Sequence, residues 1–439
     1  KEHQSQYKLP SLHQMLQELV AARSVTSYTP SKDEPNKAVV DLLCEWCENI
    51  GMTTHVQKVA EGKYNLIAQI VPNENQFDPN LKGIMFAGHT DTVGYMEDDW
   101  NTDPFDLKII NDEWFGLGVC DMKGFFPIAL QAIAETLNEQ GKDTLKAPIT
   151  LIATSDEETT MDGARALSKL NIKSHQVIIG EPSDGQAIYA HKGVLTTKLI
   201  IKGVRGHASN PSLGANAIEA AHWVIGKVMD WKKEWQTTHV NHTFKIPHPT
   251  FNFGCIHGGD NSNVICDKCE LMLDMRLLPN MPQAMLDQEF KQRLQGMEEA
   301  VPGTSLEIIT QEFCPPYEET QVPAFSKLLT DLTQQPLVST NFVTEAPFLQ
   351  EQGHHPFILG PGSIDWAHKP NERLALSKIQ PLIKQLKAIA PKVIIALGKP
   401  SASTLLDRNV AITKERGQWY EYEGIPLMLT YHPAYLLRS

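Results

Sequence analysis

Apolar residues in the first part of the chain fall into two alternating rhythms. Short runs bounded by polar or glycine positions, KGIMFAG at 82–88, APITLIATS at 147–155 and HQVIIGE at 175–181, predict strands. Between them FFPIALQAIAETL at 125–137 and the segment DGARALSKL carry helical spacing. Strand and helix in alternation predict an α/β domain built on a largely parallel sheet. From about Gly193 the order changes to strand VLTTKLIIKG, helix ANAIEAAHWVIGKVMDW, strands TFNFGCIHG and CELMLDMRLL, helix MPQAMLDQEFKQRLQGM and strand SLEIITQ. That βαββαβ order is ferredoxin-like. After Pro315 and Pro316 the α/β style returns, so the middle module reads as an insertion. Ile379, Leu382, Ile383, Leu386 and Ile389 keep the spacing of one closing helix that ends near Pro391. The predicted division is 1–192, an inserted 193–312, a return over 313–391, and a short α/β extension over 392–439.

Composition narrows the class. The 439 residues are 41% hydrophobic and 21% charged, with 28 Gly and 28 Pro, which excludes collagen-like, low-complexity and disordered chains. Apolar runs such as 393–397 fall far short of the roughly 20 residues needed to cross a bilayer, and the start KEHQSQYKLP lacks the apolar middle of a secretory signal. The expectation is a cytoplasmic protein with no membrane association. Seven cysteines are too few and odd in number for a disulfide framework, so free thiols are expected. Cys44 and Cys47 lie in a helical pattern and Cys266 and Cys269 beside a strand, where packing explains them better than a zinc site. The net charge of −13 argues against a nucleic-acid partner, although 374–439 carries nine Lys or Arg against four Asp or Glu, a net of +5 that leaves −18 for the rest.

The chemistry concentrates at strand ends. His89 and Asp91 follow one predicted strand, Asp121 opens a Gly-flanked turn, Asp156, Glu157 and Glu158 follow a second strand and Glu181 a third. In open α/β sheets that edge is where ligands bind. So many carboxylates there would repel one another unless a cation shared them. The spacing of His89 and Asp91 would let the Asp91 carboxylate accept from the far ring nitrogen of a metal-bound His89 and fix its tautomer.

The segments GHTDTV (88–93), GVCDMKG (118–124), SDEET (155–159), GEPS (180–183), RGHAS (205–209), TEAPF (344–348) and GPGSIDWAHKPNE (360–372) together resemble the acetylornithine deacetylase family. Its wider group comprises the co-catalytic zinc hydrolases, with aminoacylases, desuccinylases and carboxypeptidase G type enzymes. The resemblance spans nearly all of residues 5–373. It implies a zinc-peptidase-like catalytic domain with an inserted dimerisation and lid domain, acting as a homodimer on a small N-acyl amino acid, with hydrolysis of the acetyl amide of N2-acetyl-L-ornithine in arginine biosynthesis as the reaction. It further implies two zinc ions per subunit, with Co or Mn admitted by the same ligands. Asp121 would bridge them, His89 and Glu181 would complete one, and Glu158 and His368 the other. Glu157 matches the general base, and His207 a donor that reaches the active site of the partner subunit. Asn263 and Arg276 match positions that hold a substrate carboxylate. Glu345 matches the acetylornithine branch, where a carboxylate would meet the δ-ammonium group. Gly362, in the turn Gly360-Pro361-Gly362-Ser363, would shape the approach to His368, since no P-loop lysine follows.

After Pro391 that resemblance ends. VIIALGKPSASTLL and ITKERGQWYEYEGIPLMLTYHPAYLLR resemble the C-terminal part of iron–sulfur type uracil-DNA glycosylases, in which His432 would polarise a flipped uracil. The segment lacks that family's water-positioning motif and cluster cysteines, so it reads as a fusion remnant without DNA-repair activity.

Overall fold

The computed structural model describes residues 7–72, 83–142, 145–170, 172, 174–389 and, beyond these, 394–397, 403, 406, 408–415, 418–422 and 425–430. Its contacts divide the chain into two units, the first comprising Lys1–Ala187, Gln321–Leu337 and Phe348–Ser439, the second Ile188–Thr320 and Val338–Pro347.

In the first unit six strands run in the order Thr53–Ala60, Lys63–Ile70, Ile149–Thr154, Gly83–His89, Ser174–Pro182 and His355–Gly360. The last four are mutually parallel. Gly83–His89 and Ile149–Thr154 are buried at every position, which is why they read as unbroken apolar runs rather than alternating ones. Thr53–Ala60 and Lys63–Ile70 add an antiparallel hairpin that the hydrophobic pattern does not announce, because the outer strand, TTHVQKVA, is a polar edge exposed along most of its length.

Helices cover this sheet. Leu12–Ala21 starts at Ser11, whose side chain accepts from the Gln14 amide, and buries Met15, Leu16, Leu19 and Val20. Ile379–Ile389 has the five buried positions its spacing predicts and packs on Phe125–Gln140, with Lys387 reaching Glu135 at 2.8 Å. Each of those five side chains contributes roughly 1.5–3 kcal/mol by leaving water. The seven cysteines are free thiols, with Cys47 buried and Cys44 half-buried.

The second unit carries a four-stranded antiparallel sheet in the order Thr250–Gly258, Lys268–Leu277, Gly193–Lys202 and Ser305–Cys314. This is the ferredoxin-like arrangement expected from the element order. Lys268–Leu277 alternates strictly between buried and accessible positions, so one face is apolar. Helices Ala217–Thr238 and Gln283–Leu294 belong to the same core, centred on Trp231, whose ring stands edge-on to Trp235, Phe251 and Phe290 at 5.0–5.2 Å. The unit is larger than 193–312 because strand Ile188–His191 pairs with both Tyr317–Glu318 and Val338–Thr340.

In the C-terminal extension Ile394–Leu397, Ile425–Thr430 and Trp419–Tyr422 form a three-stranded sheet of their own. His432 and the HPAYLLR segment lie outside the described residues. Among the described residues no helix is long and apolar enough to cross a membrane.

Candidate metal centre

Parallel strands end at one edge of a sheet, and the first unit uses that edge. His89 is the last residue of Gly83–His89 and pairs in register with Thr154, so the acidic turn Asp156-Glu157-Glu158 begins two residues beyond its neighbour. Glu181 comes from the end of Ser174–Pro182, and Asp121 from the turn before helix Phe125–Gln140. Gly88 lets that turn approach: a Cβ there would stand 2.3 Å from the Met122 methyl carbon. His368 lies in the loop before Arg373–Ala375, at a φ of +57°. Asp156, at +58°, is likewise in the left-handed region, and it is held there by the Thr26 hydroxyl at 2.9 Å and Lys63 Nζ at 3.0 Å.

The two carboxylate oxygens of Asp121 part company. Oδ1 lies 3.1 Å from His89 Nε2 and Oδ2 3.3 Å from His368 Nε2, the divergence a bridging ligand requires. Glu158 reaches His368 Nε2 at 2.9 Å, whereas Glu181 and Glu157 face His89 Nε2 at 3.6 and 3.9 Å. Adjacent residues thus serve opposite sides of Asp121. Two groups of donor atoms, each within 4.8 Å of one another, result: His89, Asp121 and Glu158, and His89, Glu157 and Glu181. The geometry therefore places Glu157, expected only as a base, among donors that a cation could also use.

Asp91 differs from expectation. Its carboxylate stands 3.7 Å from His89 Nδ1, and the nearer acceptor is its own main-chain carbonyl at 3.0 Å. The carboxylate is instead claimed by the amides of Glu157 and Glu158, at 3.2 and 3.1 Å. A carbonyl can only accept, so Nδ1 carries the proton that points to it, and Nε2 is the ring nitrogen turned to Asp121. Asp91 thereby holds both the imidazole and the acidic turn.

The electrostatics fit divalent cations. Burial and then the neighbouring Asp121 charge push the Glu181 carboxyl well above its usual range, and the same two causes raise Glu158. Hydrogen bonds to Asp121 and Glu158 raise His368 to about 10. His89 is raised well above 6.5, its burial outweighed by Glu181, Asp121, Glu157 and Asp91. Asp121 stays low despite burial because both imidazoles donate to it. Protons thus do the work that cations would do at an array of buried acids. Among the described residues Glu181 Oε1 is fully buried and finds no hydrogen-bond partner, which leaves a carboxylate oxygen that a cation could take.

Gly362 sits at a φ of +76°, where a Cβ would stand 2.6 Å from Cys120 Sγ, so its place is against the Asp121 turn. The other candidate residues belong to the second unit. His207 is exposed on the two-residue strand Gly206–His207, which pairs with Val264–Ile265, and the Asn263 carbonyl accepts from the Ala208 amide at 3.0 Å, so His207 and Asn263 share one ribbon. The Ser209 amide donates to His207 Nδ1 at 3.2 Å, which leaves the proton of the neutral ring on Nε2. Arg276 gives Nε and one Nη to the carboxylate of Asp274, at 3.0 and 3.1 Å. Glu345 is buried; the residue before it, Thr344, donates its amide to His191 Nε2 at 3.3 Å. Sequence reading missed Lys63, which steadies Asp156, and Glu372, which binds the backbone of the Asp121 turn.

Residues 85–392 match peptidase family M20/M25/M40. The acetylornithine deacetylase of Aliivibrio salmonicida (strain LFI1238) is 39% identical over 386 residues, covering 88% of this chain and 99% of that protein. The acetylornithine deacetylase of Vibrio cholerae serotype O1 (strain M66-2) is 37% identical over 385 residues, with the same coverage of 88% and 99%. Among solved structures, aminopeptidase PepT from Bacillus cereus superposes with a TM-score of 0.68 at 18% identity, over 86% of this chain and 97% of that one. The Bacillus subtilis YXEP protein, described as a dinuclear metal binding peptidase from the M20 family, does so at 0.59 and 16%, over 86% and 97%. At such identities the two structures speak for the fold, and together with the curated relatives and the matched span they lead to one assignment: the chain belongs to peptidase family M20/M25/M40.

Proposed function

We propose that the chain is a metal-dependent amidohydrolase that converts N2-acetyl-L-ornithine and water to L-ornithine and acetate, a step of arginine biosynthesis. The observation that carries this reading is the divergence of the Asp121 oxygens toward His89 and His368, at 3.1 and 3.3 Å, in a chain whose curated relatives are named for that reaction. His89 and Glu181 would complete one divalent site and Glu158 and His368 the other. The nitrogen and oxygen donors suit zinc and also admit cobalt or manganese. Such a pair of ions supplies Lewis acidity to the acetyl carbonyl and lowers the pKa of a water.

Glu157 takes a proton from the attacking water and passes it to the leaving nitrogen, so the amide C–N bond breaks as acetate and a free amine form. Asp91 fixes the acidic turn that aims Glu157. In a homodimer, His207 of the partner subunit would offer its Nε2 proton to the developing oxyanion. Asp274 pre-orients Arg276 and leaves the other Nη for the substrate carboxylate, and Asn263, on the ribbon that carries His207, would help to hold the same anion. Glu345 would meet the δ-ammonium group, and Gly362 would shape the approach to His368.

The test is a deacylation assay across N2-acetylornithine, N-acetylmethionine and N-succinyl-diaminopimelate, with metal content measured on the same samples. The expected result is the highest kcat/KM for acetylornithine with two divalent ions per chain. Preference for acetylmethionine or the succinyl substrate would move the chain to the aminoacylase or desuccinylase branch, and turnover of none would overturn the reading.

A further inference from the structure

Asp121 and His368 come from segments nearly 250 residues apart, yet their facing atoms are 3.3 Å apart. One buried side chain ties the two segments. Glu372 is 2% exposed and lies four residues after His368. Its Oε1 accepts from the amides of Cys120 and Asp121, at 2.7 and 2.9 Å, and its Oε2 from the amide of Gly118 at 2.9 Å. The Glu372 carbonyl accepts from the Gly116 amide at 3.2 Å, and the next residues pair in register with the short strand Glu113–Phe115, Arg373 with Phe115 and Leu374 with Trp114. Main chain and side chain together therefore zip 372–375 onto 113–121.

Three amides aimed at the two oxygens of one buried carboxyl group are bonds with fixed directions. They set the orientation of the peptide from which the Asp121 side chain projects, on the same short segment that delivers His368. Nothing in the hydrolytic chemistry uses Glu372 itself. We propose that Glu372 is a positioning residue for the metal centre: by clamping Gly118, Cys120 and Asp121 it sets the span between Asp121 and His368, and so governs affinity for the divalent ion those two ligands share. Outer-shell carboxylates of this sort act by orienting ligands, and their loss typically lowers metal affinity about 10- to 100-fold.

The inference rests on the reading of the cluster as a metal centre, and the test separates the two. Glu372→Gln keeps the shape but turns an NH2 group toward one of three N–H donors, so at least one bond is lost. Glu372→Asp keeps charge and both acceptors on a stem one methylene shorter. Zn²⁺ stoichiometry and affinity are measured on the full chain by equilibrium dialysis with metal analysis, Co²⁺ loading by its visible absorption, and folding by thermal melting without metal. The expected result is a folded Gln variant that binds one Zn²⁺ near normally and the second about 10- to 100-fold more weakly, with an altered Co²⁺ spectrum, and an Asp variant between it and the wild type. Wild-type affinity for both ions in a folded variant overturns the proposal. Failure of both variants to fold also overturns it, since Glu372 would then serve the fold and not the site. A wild-type chain that takes up no Zn²⁺ would instead refute the reading of the cluster itself.

Discussion

The candidate residues of the first unit and those of the second live under different physical conditions. His89, Asp91, Asp121, Glu157 and Glu181 are all at least nine-tenths buried and face one another, whereas His207 is exposed and Arg276 is half-exposed with its fork turned to Asp274. Water solvates an exposed acid or base, so its presence demands no explanation. A buried array of like charges does, because it persists only when counter-charge arrives. The first unit therefore announces its chemistry through cost, and the second through availability: a ring with its proton directed outward and a guanidinium with one edge to spare.

The comparison is most easily broken at its strongest point. Asp121→Asn removes the charge shared by both halves of the cluster and is expected to abolish metal uptake and to lower turnover by roughly four orders of magnitude, equivalent to several kcal/mol. Glu157→Gln sharpens the same contrast. If Glu157 is the base, the variant keeps both metals and loses about 10²- to 10⁴-fold in kcat. Metal loss matching that of Asp121→Asn would instead make it a ligand, the role its grouping with His89 and Glu181 permits.

For the second unit, His207→Ala is expected to lower kcat by about 10²- to 10³-fold, the range for removal of one oxyanion donor, with metal content unchanged. Mixed dimers of His207→Ala with Glu157→Gln should recover one working site. No recovery in a sample shown to contain the heterodimer would place the donor within a single subunit.

Proton linkage gives a test that needs no substrate. In the metal-free protein His368 is raised from 6.5 to about 10 and His89 is raised as well, so the stability they contribute is complete below pH 6.5 and is lost as pH climbs through the folded values. Glu158 and Glu181, also raised, act with the same sign, because folding favours their protonated forms. Asp121, held low, contributes above about pH 3.8 and loses its share as pH falls. These groups therefore lower the stability of the metal-free chain from pH 6.5 to 10, against Lys123 and Lys192, which burial lowers to about 7 and 8 and which act with the opposite sign. Saturating Zn²⁺ replaces only the protons of the cluster, so the rise in melting temperature on adding Zn²⁺ should grow over this range. A rise that shrinks as pH increases would contradict the electrostatic account of the cluster.

What could be read from sequence follows the same divide. Acids placed directly after apolar runs mark the ends of buried strands, and the alternation of runs and helices yields the α/β domain and the inserted module. The hairpin beginning at Thr53 escapes because its outer strand is polar, and burial patterns reveal only what is buried. Glu372 and Lys63 escape for another reason: the partners of Glu372 are backbone amides, identical in every residue type, and Asp156 is far from Lys63 along the chain. The acceptor for His89 Nδ1 depends on whether carbonyl or carboxylate lies nearer, a choice between two groups of one residue that spacing does not make.

The smallest effect is expected from the end of the chain. Deleting 392–439 should leave metal uptake and deacetylation within about twofold of the full chain, because the proposed ligands, base and donor all lie at or before His368, and because Ile394–Leu397, Trp419–Tyr422 and Ile425–Thr430 pair with one another. The cut has to spare Ile379–Ile389, whose five buried side chains and Lys387 hold Phe125–Gln140, the helix that follows the Asp121 turn. At roughly 1.5–3 kcal/mol per side chain, loss of that helix would exceed the margin of many domains and would unfold the site by a route unrelated to chemistry. Melting temperature and dimer content of the truncated protein therefore accompany the assay. A folded, dimeric truncation without turnover would mean that the extension, whose net charge is opposite to that of the rest, has become part of the hydrolase and not an appendage to it.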